Sequence, residues 1–175
     1  MRLDVYTVAL ALGAAVCGSA LDATAAAALS LSSPVIAPDQ PLPSQLTCDG
    51  AGSSPPLAWS EPPGGTRSFA LIVDDPDAPG GTYAHWVVYD IPPNVRRVDA
   101  GHPPDGARLG LNGRHQATWT SPCPPNGMHH YDFALYALDT MLHLNEPTEK
   151  DVQRAMQGHV LAQARLVGTY ERPGH

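Results

Sequence analysis

Basic residues are scarce in this chain, and their scarcity limits its partners. The 175 residues include ten Lys and Arg against 17 Asp and Glu, which gives a formal net charge of −7. Nucleic acids and anionic membranes are bound by clusters of Lys and Arg. The composition therefore argues against nucleic acid or an anionic membrane surface as the main partner.

The sequence also lacks a long apolar run. Arg2 precedes an apolar stretch at residues 5–16, and small residues follow, a pattern typical of secretory signal peptides. A run of this length is too short to span a bilayer. We expect residues 1–28 to be a signal peptide or a disordered N-terminal segment and residues 29–175 to form a single domain. This pattern predicts a secreted or periplasmic mature protein. A cytoplasmic protein with an Ala-rich start is the alternative.

Cysteine is rare as well, with three residues in all. Removal of a signal peptide would take Cys17 away and leave Cys48 and Cys123 in an oxidising compartment, where a disulfide can form. Two separate buried thiols are the alternative, because pairing depends on a geometry that the sequence does not contain.

Proline and glycine are abundant instead, with 19 and 16 residues, a composition typical of loop-rich β proteins. Alternation and β-branched or aromatic enrichment predict five strands, over residues 45–48, 68–73, 85–90, 131–138 and 163–170. Thr148 and Asp151 resemble a capping box, which predicts a helix that ends near Gly158. The predicted fold class is mostly β with a short C-terminal helix.

Two carboxylates and a histidine are concentrated where two of the predicted strands are joined. In DDPDAP, residues 74–79, two prolines stiffen the loop that carries Asp75 and Asp77. His85 opens the next strand, where its imidazole can donate, accept or become charged. Local aspartate turns and a structural histidine are the alternative.

A second candidate segment is SPCPPNGMHHYD, residues 121–132. Its prolines and Asn-Gly pair predict a rigid turn, and period-two geometry puts His129 and Tyr131 on one face of the strand that follows. A histidine and a phenol beside a fixed loop can hold the oxygens of an anion between donors. A surface histidine pair and a core tyrosine are the alternative.

The segments DDPDAP, HWVVYDIP and SPCPPNG-x-HH-Y, in this order, resemble the phosphatidylethanolamine-binding protein (PEBP) family. These proteins are also called Raf kinase inhibitor-like, and the resemblance is to the bacterial and archaeal branch, over about residues 29–171. It implies a large central antiparallel sheet packed against a smaller sheet. It also implies a small pocket that accepts phosphate, acetate or a phosphorylated head group, with no cofactor.

The resemblance further implies which residues form the pocket. Asp75 and Asp77 match the aspartates of the family's D-P-D-x-P motif, and His85 matches the histidine that opens the next strand. The other implied pocket residues are Pro124, Pro125, His129 and Tyr131. We expect the two histidines and the tyrosine hydroxyl to donate to an anion. Asp75 is expected to orient a histidine or to accept from a protonated or cationic ligand.

Two departures from the family pattern affect this pocket. The family's His-Arg pair is His129-His130 here, so a titratable ring replaces a guanidinium fork. The glycine-rich segment that relatives have before the prolines is absent, and Thr118, Trp119 and Thr120 are expected to add bulk near the pocket wall.

These observations predict a protein that binds small anions or phosphorylated head groups, with a regulatory role as an extension. An inhibitor of a partner kinase or protease, acting through the pocket rim, is one alternative. A hydrolase is another, although no G-x-S-x-G elbow or other nucleophile motif accompanies the histidines. A zinc site of Asp75, His85 and His129 is the last, although their spacing is not a metal motif.

Overall fold

The computed structural model describes residues 28–174, so the predicted signal segment lies almost wholly outside the described residues. Within this range the chain forms nine strands, a 3₁₀ helix and one α-helix. In chain order they are β1 Leu31–Ser32, β2 Gln40–Pro41, the 3₁₀ helix Ser44–Leu46, β3 Leu57–Trp59, β4 Ser68–Asp75, β5 Tyr83–Ile91, β6 Arg97–Val98, β7 Arg108–Leu109, β8 His129–Leu138, α1 Glu149–Ala155 and β9 Val160–Tyr170.

The strands form two sheets. The large sheet has the order β2-β9-β8-β4-β5-β7, and the small sheet has the order β1-β3-β6. Neighbouring strands are antiparallel except β2 and β9, which pair in parallel over two residues. The predicted architecture is confirmed, with the difference that this short edge strand makes the large sheet mixed.

Both faces of the large sheet are covered, which explains the near-continuous apolar sequences of β4 and β5. Leu71 of β4 belongs to the core cluster that includes Trp59 of the small sheet. The next residue, Ile72, points the other way and belongs to the cluster that includes Val152 of α1. The small sheet and the helix therefore cover opposite faces.

The helix begins as the sequence predicts. The Thr148 hydroxyl accepts from the Asp151 backbone N at 3.4 Å, and the Asp151 carboxylate accepts from the Thr148 backbone N at 3.0 Å. These reciprocal bonds satisfy donors at the helix start. Gly158 has a φ of 81°, a conformation that glycine adopts without strain after a helix end.

The predicted strand over residues 45–48 is wrong. The Leu46 backbone N donates to Pro43 O at 3.0 Å, and the Thr47 backbone N donates to Ser44 O at 3.0 Å, so this segment coils into the 3₁₀ helix. Leu46 is buried. Its apolar side chain therefore anchors a helical turn to the core. It does not belong to the buried face of a strand, as the prediction requires.

Cys48 and Cys123 are joined by a disulfide, with their Cα atoms 5.3 Å apart. Two hydrogen bonds lie beside the bridge: the Cys48 backbone N donates to Pro122 O at 2.9 Å, and Trp119 Nε1 donates to Gly52 O at 2.9 Å. The segment after the 3₁₀ helix is thereby tied to the proline-rich segment before β8.

Removing the bridge in a Cys48→Ala/Cys123→Ala double variant is expected to lower the free energy of unfolding by about 2–4 kcal/mol. The bridge constrains the unfolded chain because it closes a loop with a sequence separation of 75. Urea unfolding without reductant, followed by tryptophan fluorescence, measures the loss. Added reductant should abolish the difference between the two proteins, and equal stability without reductant would contradict the expectation.

Candidate functional site

A cavity of about 260 Å³ lies at one end of the large sheet. The end of β4 and the starts of β5 and β8 meet there, because Asp75 pairs with Tyr83 and Asp74 pairs with Asp132. Five of the predicted residues line the cavity: Asp75, His85, Pro124, Pro125 and His129. The other lining residues are Ala78, Pro79, Tyr83, Arg114, Thr120, Ser121 and Cys123.

Asp75 and His129 form a buried hydrogen-bonded pair in the cavity. Oδ2 of Asp75 accepts from Nδ1 of His129 at 2.8 Å, and Oδ1 accepts from the backbone N of Asp77 at 2.9 Å. Asp75 and His129 are only 4% and 5% exposed. Because a carboxylate only accepts, Nδ1 of His129 carries the proton, and Nε2 is the ring nitrogen left for a ligand.

His85 presents a lone pair to the same cavity. Its Nδ1 donates to the Thr120 carbonyl at 2.7 Å. Burial lowers the pKa of His85 below its ordinary value, although the Thr120 bond and the charge of Asp75 act in the opposite direction. The ring is therefore neutral at pH 7, and Nε2 lies 4.0 Å from Asp75 Oδ2 as an acceptor. This differs from the donor role that the sequence suggested.

Tyr131 lies beneath the cavity rather than in its wall. The residue has no exposed surface, and its ring packs edge-on against the ring of His85 with centroids 5.2 Å apart. Its hydroxyl makes no well-formed hydrogen bond with the described residues. Burial and the nearby charge of Asp75 raise its pKa. Tyr131 thus packs against His85 from below, where it has no exposed surface from which to donate directly to a ligand as the sequence predicts.

Asp77 lies outside the cavity, where it ties the loop after β4 to the start of β8. Its Oδ2 accepts from the backbone N of His130 at 2.8 Å and from His130 Nδ1 at 2.7 Å. These hydrogen bonds hold the pKa of Asp77 below its ordinary value. His130 therefore fixes the position of this loop.

Sequence reasoning missed the loop residues of the wall, above all Arg114. The loop between β7 and β8 is organised by the buried Asn112, whose Nδ2 donates to Thr118 O at 2.9 Å and to Thr120 Oγ1 at 2.8 Å. The Asn112-Gly113 pair indicates a turn, but it does not indicate that the turn brings Arg114 to the cavity. Trp119 packs against the large core cluster, and its ring centroid also lies 6.2 Å from that of His85 behind the wall.

The chain matches the family model described as phosphatidylethanolamine-binding protein over residues 32–171. The chain belongs to this family. A protein of the archaeon Methanothermobacter thermautotrophicus, named UPF0098 protein, is 49% identical to this PEBP-family chain over 137 residues, which are 75% of this chain and 91% of that one. A bacterial protein of the same name from Aquifex aeolicus is 43% identical over 140 residues, 75% and 81% of the two chains.

Solved structures agree with this assignment. The crystal structure of E. coli YbcL, described as a new member of the mammalian PEBP family, has a TM-score of 0.78 at 32% identity and covers 83% of this chain and 99% of YbcL. A Chlamydia trachomatis protein described as a PEBP homologue has a TM-score of 0.79 at 38% identity. The match covers 83% of this chain and 98% of the Chlamydia chain. The resemblance drawn from the three sequence segments is confirmed.

Residues 28–174 contain neither a cluster of metal ligands nor a membrane-spanning helix. No three His, Cys, Asp or Glu side chains in this range are grouped so that they could hold a metal ion, which leaves the zinc alternative without support. No helix in this range is long and apolar enough to cross a membrane.

Replacing Asp75 by Asn is expected to lower the pKa of His85 further. The negative charge of Asp75 is one of the influences that raise this pKa, and it disappears in the variant. NMR titration of the histidine Cε1 protons measures the change. Asp77→Asn is the matched control, because Asp77 pairs with His130 outside the cavity and should leave the pKa of His85 unchanged. A His85 pKa that rises in Asp75→Asn would contradict the geometry.

Proposed function

We propose that this PEBP-family protein binds a small anion that also carries a hydrogen-bond donor, such as a protonated phosphate or a phosphorylated head group with an ammonium. The observation that carries the proposal is the pair of acceptors, Asp75 Oδ2 and His85 Nε2, that lie 4.0 Å apart beside the cavity. An ammonium can donate one N–H to each acceptor, and a P–OH group can donate to one of them. A bare dianion would be repelled by the buried carboxylate.

The dimensions of the cavity support a ligand of head-group size. Its volume of about 260 Å³ lies just below the range of about 300–1,000 Å³ that holds drug-sized molecules. Pro124 and Pro125 form part of the wall and have no backbone N–H to offer, so they shape the cavity without adding donors. The family description names phosphatidylethanolamine, whose head group has both a phosphate and an ammonium.

We also propose that the protein acts in an oxidising compartment, as a secreted or periplasmic protein. The disulfide between Cys48 and Cys123 supports this location, because such bridges persist outside the reducing cytosol. The apolar stretch at residues 5–16, with the small residues that follow it, is the second support.

Calorimetric titration with inorganic phosphate and with phosphoethanolamine, at pH 6 and pH 8, tests the binding function. Affinity for inorganic phosphate is expected to be lower at pH 8 than at pH 6, because the ion is then mostly the dianion, which has fewer P–OH groups to donate and is repelled by Asp75. His129→Ala should weaken binding at least about tenfold, since it removes the hydrogen bond that holds the Asp75 carboxylate.

His102→Ala is the matched control, because the exposed His102 imidazole bonds the Ala100 carbonyl and the residue does not line the cavity. It should bind both ligands as the wild type does. Binding that His129→Ala retains in full, or inorganic phosphate binding that is equally strong at pH 6 and pH 8, would overturn the proposed site.

A further inference from the structure

Arg114 is a cation in the cavity wall without a structural partner. It is the one Lys or Arg among the described residues that line the cavity. Its guanidinium forms no hydrogen bond or ion pair within residues 28–174, whereas Arg96 and Arg172 each pair with a carboxylate at 2.7 and 2.9 Å. The fold therefore leaves its charge available.

The backbone from which this side chain extends is held in place. Asn112 Oδ1 accepts from the backbone N of Arg114 at 2.9 Å, and the backbone N of Gly113 donates to Ala84 O at 2.8 Å. A Cβ on Gly113 would lie 2.3 Å from the ring of Tyr83, so only glycine lets the loop approach β5 this closely. Arg114 is thus presented from a fixed point beside the cavity.

Residues of opposite charge lie on the two sides of the cavity. Asp75, which is buried, provides a negative charge at the sheet end, and Arg114, which is exposed, provides a positive charge on the outer side. The guanidinium charge extends to His85, whose pKa it helps to lower. A ligand with one anionic end and one donor end matches this division in one orientation only.

We propose that Arg114 binds the anionic oxygens of the ligand at the outer side of the cavity, while the donor end of the same ligand faces Asp75 and His85. This inference rests on the proposed function and adds the orientation of the ligand and the residue that selects its anionic group. The planar guanidinium fork can bond two oxygens of one phosphate.

The test compares Arg114→Gln with the wild type by calorimetry at pH 6.5 against four compounds. Phosphoethanolamine, inorganic phosphate and glycerophosphoethanolamine carry a phosphate, and ethanolamine carries none. Loss of a charge-assisted hydrogen bond is expected to lower the affinity for each of the three phosphate compounds about tenfold. The affinity for ethanolamine should not fall. The monoester and the glycerol diester distinguish a soluble phosphomonoester from a lipid head group as the source of this chemistry.

Two further variants isolate the role of the guanidinium. Arg97→Gln makes the same change of net charge at a side chain that is 77% exposed and pairs with Asp99 away from the cavity. It should bind all four compounds as the wild type does. Arg114→Lys keeps the charge without the fork, so its phosphate affinity should lie between those of the wild type and Arg114→Gln.

Two readouts separate binding by Arg114 from an effect on folding. Because a charge contact is screened by salt, wild-type phosphate affinity should fall more steeply between 0.05 and 0.5 M NaCl than that of Arg114→Gln. The NMR-measured pKa of His85 should rise in Arg114→Gln, since a nearby positive charge has been removed.

The possible results overturn different statements. If Arg114→Gln binds phosphoethanolamine as tightly as the wild type while His129→Ala does not bind it, Arg114 has no part in recognition and the proposed function stands. If Arg114→Gln lowers the affinity for ethanolamine as much as the affinity for the phosphate compounds, the proposed orientation is wrong. A wild-type protein that binds none of the four compounds refutes the proposed function, and with it the role of Arg114.

Discussion

The hydrogen bond between Asp75 and His129 holds together the two strand ends on which the cavity is built. Asp75 closes β4 and His129 opens β8, and both are almost completely buried. A buried carboxylate that loses its donor carries a large desolvation cost, so this contact constrains everything near it. The second Asp75 oxygen fixes the following loop through Asp77, and the charge of Asp75 acts on both His85 and Tyr131.

The proposed recognition of an anion has to be short-ranged. A formal net charge of −7 gives an anionic ligand no attraction from a distance. The cavity compensates locally, with a guanidinium on its outer side and neutral or acceptor groups further in. Such a division discriminates by the arrangement of charge within a ligand rather than by total charge. Under the proposed function, a molecule with both an anionic group and a donor is favoured over a simple anion.

The sequence predicted the strands that make up the sheet more reliably than the residues that loops bring to it. Segments 68–73 and 131–138 are apolar enough to be recognised as strands, and motif order carried the family resemblance. Asp75, His85 and His129 were found because strand ends place them. Arg114 was missed because its position depends on buried Asn112 bonds that no local pattern encodes. The 3₁₀ helix was missed because Leu46 fits a strand or a turn equally well.

The disulfide has a consequence for the cavity itself, because Cys123 is one of its lining residues. The bridge anchors the proline wall to the segment around Cys48, so the complete wall belongs to the oxidised chain. A ligand that prefers this wall must, by thermodynamic linkage, also favour the bridged form over the dithiol. If the proposed ligand prefers this wall, oxidation of the thiols and occupancy of the cavity are coupled equilibria, and each makes the other more favourable.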